Sequence, residues 1–123
     1  MTAETIFALA SGSMRAGVAV IRVSGPAALK TFATLTGDNE PTARVLKNVT
    51  LKDGPSVLDH ALAVFFKAPA SFTGEDVAEY HVHGGCAVID GVLTALGKIS
   101  GCRLAEPGEF TRRAFENGKM DLT

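Results

Sequence analysis

Gly17-Val18-Ala19-Val20-Ile21-Arg22-Val23-Ser24, closed by Gly25-Pro26, reads as a β-strand, because β-branched side chains pack well on a pleated surface. One charge, Arg22, interrupts it. Val77-Ala78-Glu79-Tyr80-His81-Val82-His83 reads as another strand, with Glu79 as its charge. A charge inside a core-like strand is costly unless it is paired or serves a ligand. The pattern leaves these readings open: an Arg22–Glu79 salt bridge, two solvent-facing side chains, or a binding site.

Working outward, Thr5 to Ala10 is a short apolar run ending at Ser11-Gly12-Ser13, and it predicts a strand ahead of the first. Pro26 opens a helix, Pro being favoured at the first helical position, with Leu29, Phe32 and Ala33 as its apolar stripe and Gly37 as its stop. Val45–Leu51 and Val57–Phe66 flank Asp53-Gly54-Pro55-Ser56 and predict a hairpin. Ala68-Pro69 breaks the chain before a polar loop at 71–76. After the 77–83 strand, Gly84-Gly85 leads into a helix striped by Val88, Ile89, Val92, Leu93, Leu96 and Ile99, with Gly101 as its stop. A short strand at 102–105 and a helix at 109–116, closed by Asn117-Gly118, complete the order β-β-α-β-β-β-α-β-α. The fold class expected is α+β, an α/β-type sandwich of a mixed or antiparallel sheet with about three helices. Asp121-Leu122-Thr123 has the look of a cap for another helix, so the chain is expected to be the front piece of something longer.

The 123 residues suit one domain, and 46% hydrophobic with 20% charged residues is a globular composition. No apolar run approaches the ~20 residues of a membrane span, so no membrane partner is expected. The first residues lack the basic and apolar regions of a secretory signal. Two cysteines are too few for a disulfide framework, which points to a reducing, cytoplasmic setting. With 12 basic and 13 acidic residues, a large electrostatic nucleic-acid surface is not indicated. Charge is uneven: 61–97 sets Lys67 alone against Glu75, Asp76, Glu79 and Asp90, while 98–123 is slightly basic.

Gly12 and Gly17 have the spacing of the two P-loop glycines, but Val18-Ala19 stand where Lys-Ser/Thr belong and a strand follows where a helix is required. Nucleotide binding there is rejected. His81 and His83 share one strand face and Cys86 lies three residues on, so a mixed His/Cys metal site is conceivable, against hydrogen-bonded histidines at a strand end. Cys86 near a helix start is weighed as an activated thiol against a small packing residue. Thr73-Gly74-Glu75-Asp76 fits a capping box, yet the alternation after it is that of a strand. No G-x-S-x-G nucleophile motif is present, and no catalytic residue is assigned.

Four stretches taken together resemble one family: 17–26 (GVAVIRVSGP), 68–79 (APASFTGEDVAE), His83-Gly84-Gly85, and 103–122 (RLAEPGEFTRRAFENGKMDL). The chain is similar, from Thr5 to Thr123, to the N-terminal domain of the tRNA-modification GTPase MnmE (TrmE) family. The loop 12–17 departs from it, lacking the prolines and clustered glycines common there. The resemblance implies that 1–123 is a tetrahydrofolate-binding, homodimerising domain, similar in fold to the folate domain of the glycine-cleavage T protein. It implies helical and GTPase domains beyond this chain, where GTP, potassium and magnesium would act. It also implies a full-length GTP hydrolase that works with the flavin-dependent partner MnmG on C5 of the tRNA wobble uridine, adding a carboxymethylaminomethyl or aminomethyl group. The one-carbon unit would come from a 5-formyl or 5,10-methylene folate. Arg22, Glu79 and Lys119 match the family's folate-contacting positions. A carboxylate such as Glu79 suits the neighbouring N–H donors of a pterin edge, and Arg22 and Lys119 suit the carboxylates of a folate tail. Two other classes stay open: a homodimerisation module without folate binding, and a small metal module on His81, His83 and Cys86.

Overall fold

The computed structural model describes residues 4–10 and 17–119. The P-loop-like spacing from Gly12 and the cap at Asp121-Leu122-Thr123 lie outside the described residues. The elements are β1 (Thr5–Leu9), β2 (Val18–Ser24), α1 (Ala28–Thr36), β3 (Lys47–Asp53), β4 (Ser56–Phe66), β5 (Val77–His83), α2 (Cys86–Gly97), β6 (Cys102–Leu104) and α3 (Glu109–Glu116). This is the order expected from the sequence. The six strands form one mixed sheet in the order β3-β4-β5-β2-β1-β6, antiparallel except for the β1–β6 pair. An α+β sandwich results.

Alternation decides which side chains face the helices. Ala19, Ile21 and Val23 of β2, Ala78, Tyr80 and Val82 of β5 and Ala61, Ala63 and Phe65 of β4 point into one core with Phe32 and Leu35 of α1 and Ile89, Val92 and Leu96 of α2. Phe32 meets Phe65 edge-on (centroids 6.3 Å) and stacks on Tyr80 (6.0 Å). The Tyr80 hydroxyl lies 3.0 Å from Thr31 Oγ1, which satisfies a phenol whose pKa burial pushes up. The opposite sheet face carries Arg22, Glu79, His81 and Leu62.

The helix ends correct two expectations. α1 starts at Ala28, not Pro26: the amide of Ala27 donates to Thr5 Oγ1 (2.7 Å) and that of Ala28 to the Gly25 carbonyl (3.1 Å), so a turn precedes the helix. Its buried stripe is Ala28, Thr31, Phe32 and Leu35, with Leu29 and Ala33 only half-buried. Gly25 sits at φ +138°, and a Cβ there would come within 2.7 Å of the Thr5 backbone. α2 ends at Gly97 rather than running to Gly101, because the Lys98 and Ile99 amides tighten into three-residue turns on the Ala95 and Leu96 carbonyls. Ile99 still packs against the core. The hairpin is as expected, with Asp53 opposite Ser56 across Gly54-Pro55.

Candidate functional site

The antiparallel register of β2 on β5 sets Arg22 opposite Glu79, and both occupy the face away from α1 and α2. Arg22 Nε donates to Glu79 Oε2 at 2.9 Å, with the two side chains 26% and 16% exposed. His81, next along that face of β5, places Nε2 3.2 Å from Glu79 Oε1. A carboxylate offers about four acceptor positions, so Glu79 keeps capacity for further donors.

The 67–76 loop and α3 wall this part of the face. The chain turns through a cis Ala68–Pro69 peptide into the loop. The residues 73–76 form no helix, so the capping-box reading fails, and their side chains bind the loop to the sheet instead. Ser24 Oγ donates to Glu75 Oε1 (2.7 Å) and meets Thr73 Oγ1 (2.7 Å). Phe72 lies against Arg22, whose guanidinium carbon is 5.2 Å from the Phe72 centroid and 6.0 Å from that of Phe110 on α3. Both distances lie in the range of cation–π attraction.

α3 is held by charge, not by an apolar stripe. Its buried residues are Glu109, Arg113 and Ala114. Arg103 of β6 grips Glu109 with two parallel bonds (2.8 and 2.6 Å), the Glu106 amide adds a third (2.9 Å), and Arg113 Nη2 lies 3.3 Å away. Arg113 also reaches both oxygens of Glu75 at 3.2 and 3.3 Å. The Arg103 fork, with the Glu106 amide and the charges of Arg103 and Arg113, outweighs burial and holds the Glu109 carboxyl at a pKa of about 2. Beyond α3, Asn117 Nδ2 donates to the Thr73 carbonyl (2.9 Å) and the Lys119 amide to that of Ala114 (2.8 Å). Gly74 (φ +82°) allows this approach: a Cβ there would lie 2.9 Å from Asn117 Cβ and 3.2 Å from Lys119 Cγ.

These contacts bring Glu79 and Lys119 to one cavity of about 490 Å³, walled by Phe66, Phe72 and Val77, with Arg44 at its edge. Arg22 opens into an adjoining hollow of about 410 Å³ with Phe110 and Pro107, and Phe72 lines both. Glu79 is thus shared in effect: it lines the first cavity and binds the arginine of the second. Of the three residues singled out from the sequence, two share a space and the third reaches it through an ion pair.

The metal alternative fares differently. His83 Nδ1 is 2.8 Å from Asp59 Oδ1 while His81 faces Glu79, and among the described residues no three His, Cys, Asp or Glu side chains converge on a metal position. The histidines are hydrogen-bonded, as the plainer reading had it. Cys86, at the first residue of α2, and Cys102 are free thiols.

The family described as "GTP-binding protein TrmE N-terminus" matches residues 5–119. The chain belongs to the TrmE N-terminal family. It is 55% identical over 98% of its length to the tRNA modification GTPase MnmE of Parvibaculum lavamentivorans, of which it covers 28%. To the MnmE proteins of Brucella ovis and Brucella anthropi it is 53% and 52% identical, again over 98% of its own length and 27% of theirs. It therefore spans little more than a quarter of the curated relatives it matches. No helix among the described residues is long and apolar enough to cross a membrane.

The sequence reading missed the Arg103–Glu109–Arg113–Glu75 chain of charges, the two phenylalanines at Arg22, and Arg44. Glu109 and Arg113 at i, i+4 were a visible signal for the first.

Proposed function

We propose that this chain binds a reduced folate, in its 5-formyl or 5,10-methylene form, and pairs two protomers. It would do so as the N-terminal module of a GTPase that, with the flavin-dependent MnmG, modifies C5 of the tRNA wobble uridine. The observation that carries the reading is the shared cavity of Glu79 and Lys119, with a half-buried carboxylate within and an exposed cation at the rim. Its volume lies within the ~300–1,000 Å³ usual for small-molecule sites, and aromatic walls with a few polar groups are the usual lining. A folate has the matching chemistry: a flat head edged with N–H donors and an anionic tail. Glu79 accepts from the head, Lys119 attracts the tail, and Arg22 holds Glu79 in orientation through their ion pair. The folate supplies the one-carbon unit; the protein holds it and limits its exposure to water. GTP, potassium and magnesium belong to the GTPase segment of the longer relatives, and the two free thiols accord with a cytoplasmic setting.

Support for pairing comes from the same sheet face. A trough of about 510 Å³ over β2, β5, β4 and β3 is lined by Val18, Leu62, Thr50, His60, His81 and His83, with Val18 50% exposed. Exposed aliphatic side chains on a sheet suit a two-fold symmetric interface, the commonest oligomer type.

Titration of the purified chain with 5-formyl-tetrahydrofolate and with 5,10-methylene-tetrahydrofolate tests the reading. Saturable binding at micromolar ligand is expected. A folded chain that takes up neither at millimolar concentration overturns it.

A further inference from the structure

Arg44 is the one non-glycine residue with a positive φ (68°) among the described residues. A left-handed backbone is disfavoured for a side chain with a Cβ, and glycine or asparagine usually occupies such a position. The conformation is fixed by the Arg44 amide, which donates to the Phe65 carbonyl at 2.8 Å, beside the end of β4. Its exposed side chain lines the cavity of Glu79 and Lys119. Among the described residues the guanidinium has no hydrogen-bond or ion-pair partner, whereas Arg22 already gives its Nε to Glu79.

A strained backbone that nonetheless keeps a long cationic side chain at a cavity edge is the kind of outlier that accompanies ligand contacts. Lys119, the other exposed cation of the same lining, supplies a point charge. Arg44 supplies a planar fork that can hold a carboxylate through two parallel bonds. Glu79, the more buried of the charged residues in this lining, stands opposite these two in character. The cavity is therefore polarised, with acceptor within and cations outside.

We propose that Arg44 is a specificity-determining residue that binds a carboxylate of the ligand's glutamate tail, with Lys119 as its partner cation. This assignment rests on the folate reading above and adds to it the residue that selects for the anionic tail. Selection by a carboxylate-binding fork favours folates over reduced pterins whose tail is absent or uncharged.

The test compares 5-formyl-tetrahydrofolate with its dimethyl ester, in which both tail carboxylates are masked, on wild type, Arg44→Gly, Arg44→Lys and Glu79→Ala. Glycine relieves the backbone at φ 68°, so Arg44→Gly is expected to melt no lower than wild type, which separates binding from folding. Wild type is expected to prefer the acid over the ester by at least 10-fold. Arg44→Gly is expected to bind the acid 10- to 150-fold more weakly, to bind the ester as wild type does, and so to lose most of the preference. Arg44→Lys should recover part of it. An Arg44→Gly protein that keeps the wild-type preference, while Glu79→Ala loses affinity for both ligands, overturns this assignment and leaves the folate reading standing. Equal loss of acid and ester in Arg44→Gly also overturns it. A wild-type chain that binds neither ligand ends both.

Discussion

Replacing Glu109 by Gln should show how far α3 depends on one carboxylate. The side chain is 1% exposed and receives two bonds from Arg103, one from the Glu106 amide and one from Arg113. Those partners hold its pKa at about 2 against an ordinary 4.5. At about 1.4 kcal/mol per pH unit, this displacement corresponds to roughly 3 kcal/mol of folding stability, as an upper figure. Because the folded-state pKa lies below the unfolded one, protonation favours the unfolded chain. The contribution is complete above about pH 5 and disappears as pH falls through 4.5 towards 2. Glu109→Gln should thus lower stability by about 2–3 kcal/mol at pH 7, a fall in Tm of roughly 6–15 °C for a domain of this size. Near pH 2 the two proteins should converge, and the acid limb of the variant should be shallower. Urea melts by circular dichroism at pH 7, 4 and 2.5 measure this. A variant within 0.5 kcal/mol of wild type at pH 7, or a deficit unchanged at pH 2.5, would refute the assignment of the carboxylate as the clamp of α3.

Gly74→Ala forces a Cβ against Asn117 and Lys119 at φ +82°, so it should cost about 1–2 kcal/mol and weaken folate binding through the displaced Lys119; equal binding by wild type and variant in calorimetry would contradict this. Leu62→Glu places a charge in the open trough at a 36% exposed position, and sedimentation should show monomer where wild type is dimeric, with an unchanged circular dichroism spectrum. Wild type that is itself monomeric well above micromolar concentration would end the pairing proposal. Residues 1–123 should not bind GTP, since Val18-Ala19 replace the P-loop lysine and hydroxyl residue; a fluorescent-GTP titration that saturates at micromolar nucleotide would count against that.

Strands and hairpin were legible because alternation and turn chemistry are local: 77–83 shows its period in seven residues, and Asp53-Gly54-Pro55-Ser56 has few alternatives to a turn. The two charges Arg22 and Glu79 were legible as anomalies, but their pairing needed the β2–β5 register, which non-local packing sets. α3 illustrates the limit of hydrophobic periodicity. Its buried face carries Glu109 and Arg113, so the residues a pattern search would send to solvent are the ones inside. Arg44 gives no local signal, since its left-handed backbone is imposed by a bond to a strand 21 residues on. Pro26 misled for a similar reason: the segment after it is held as a turn, its Ala27 amide bound by Thr5, distant in sequence, and its Ala28 amide closed on the Gly25 carbonyl.

The folate assignment stands or falls on Glu79. Losing a charge-assisted hydrogen bond costs ~1.5–3 kcal/mol, which is roughly 10- to 150-fold in Kd. Calorimetry of 5-formyl-tetrahydrofolate into wild type and Glu79→Ala, each checked for an intact fold, should give saturable binding by the first and a loss within that range by the second. Equal affinity of the two proteins would contradict it.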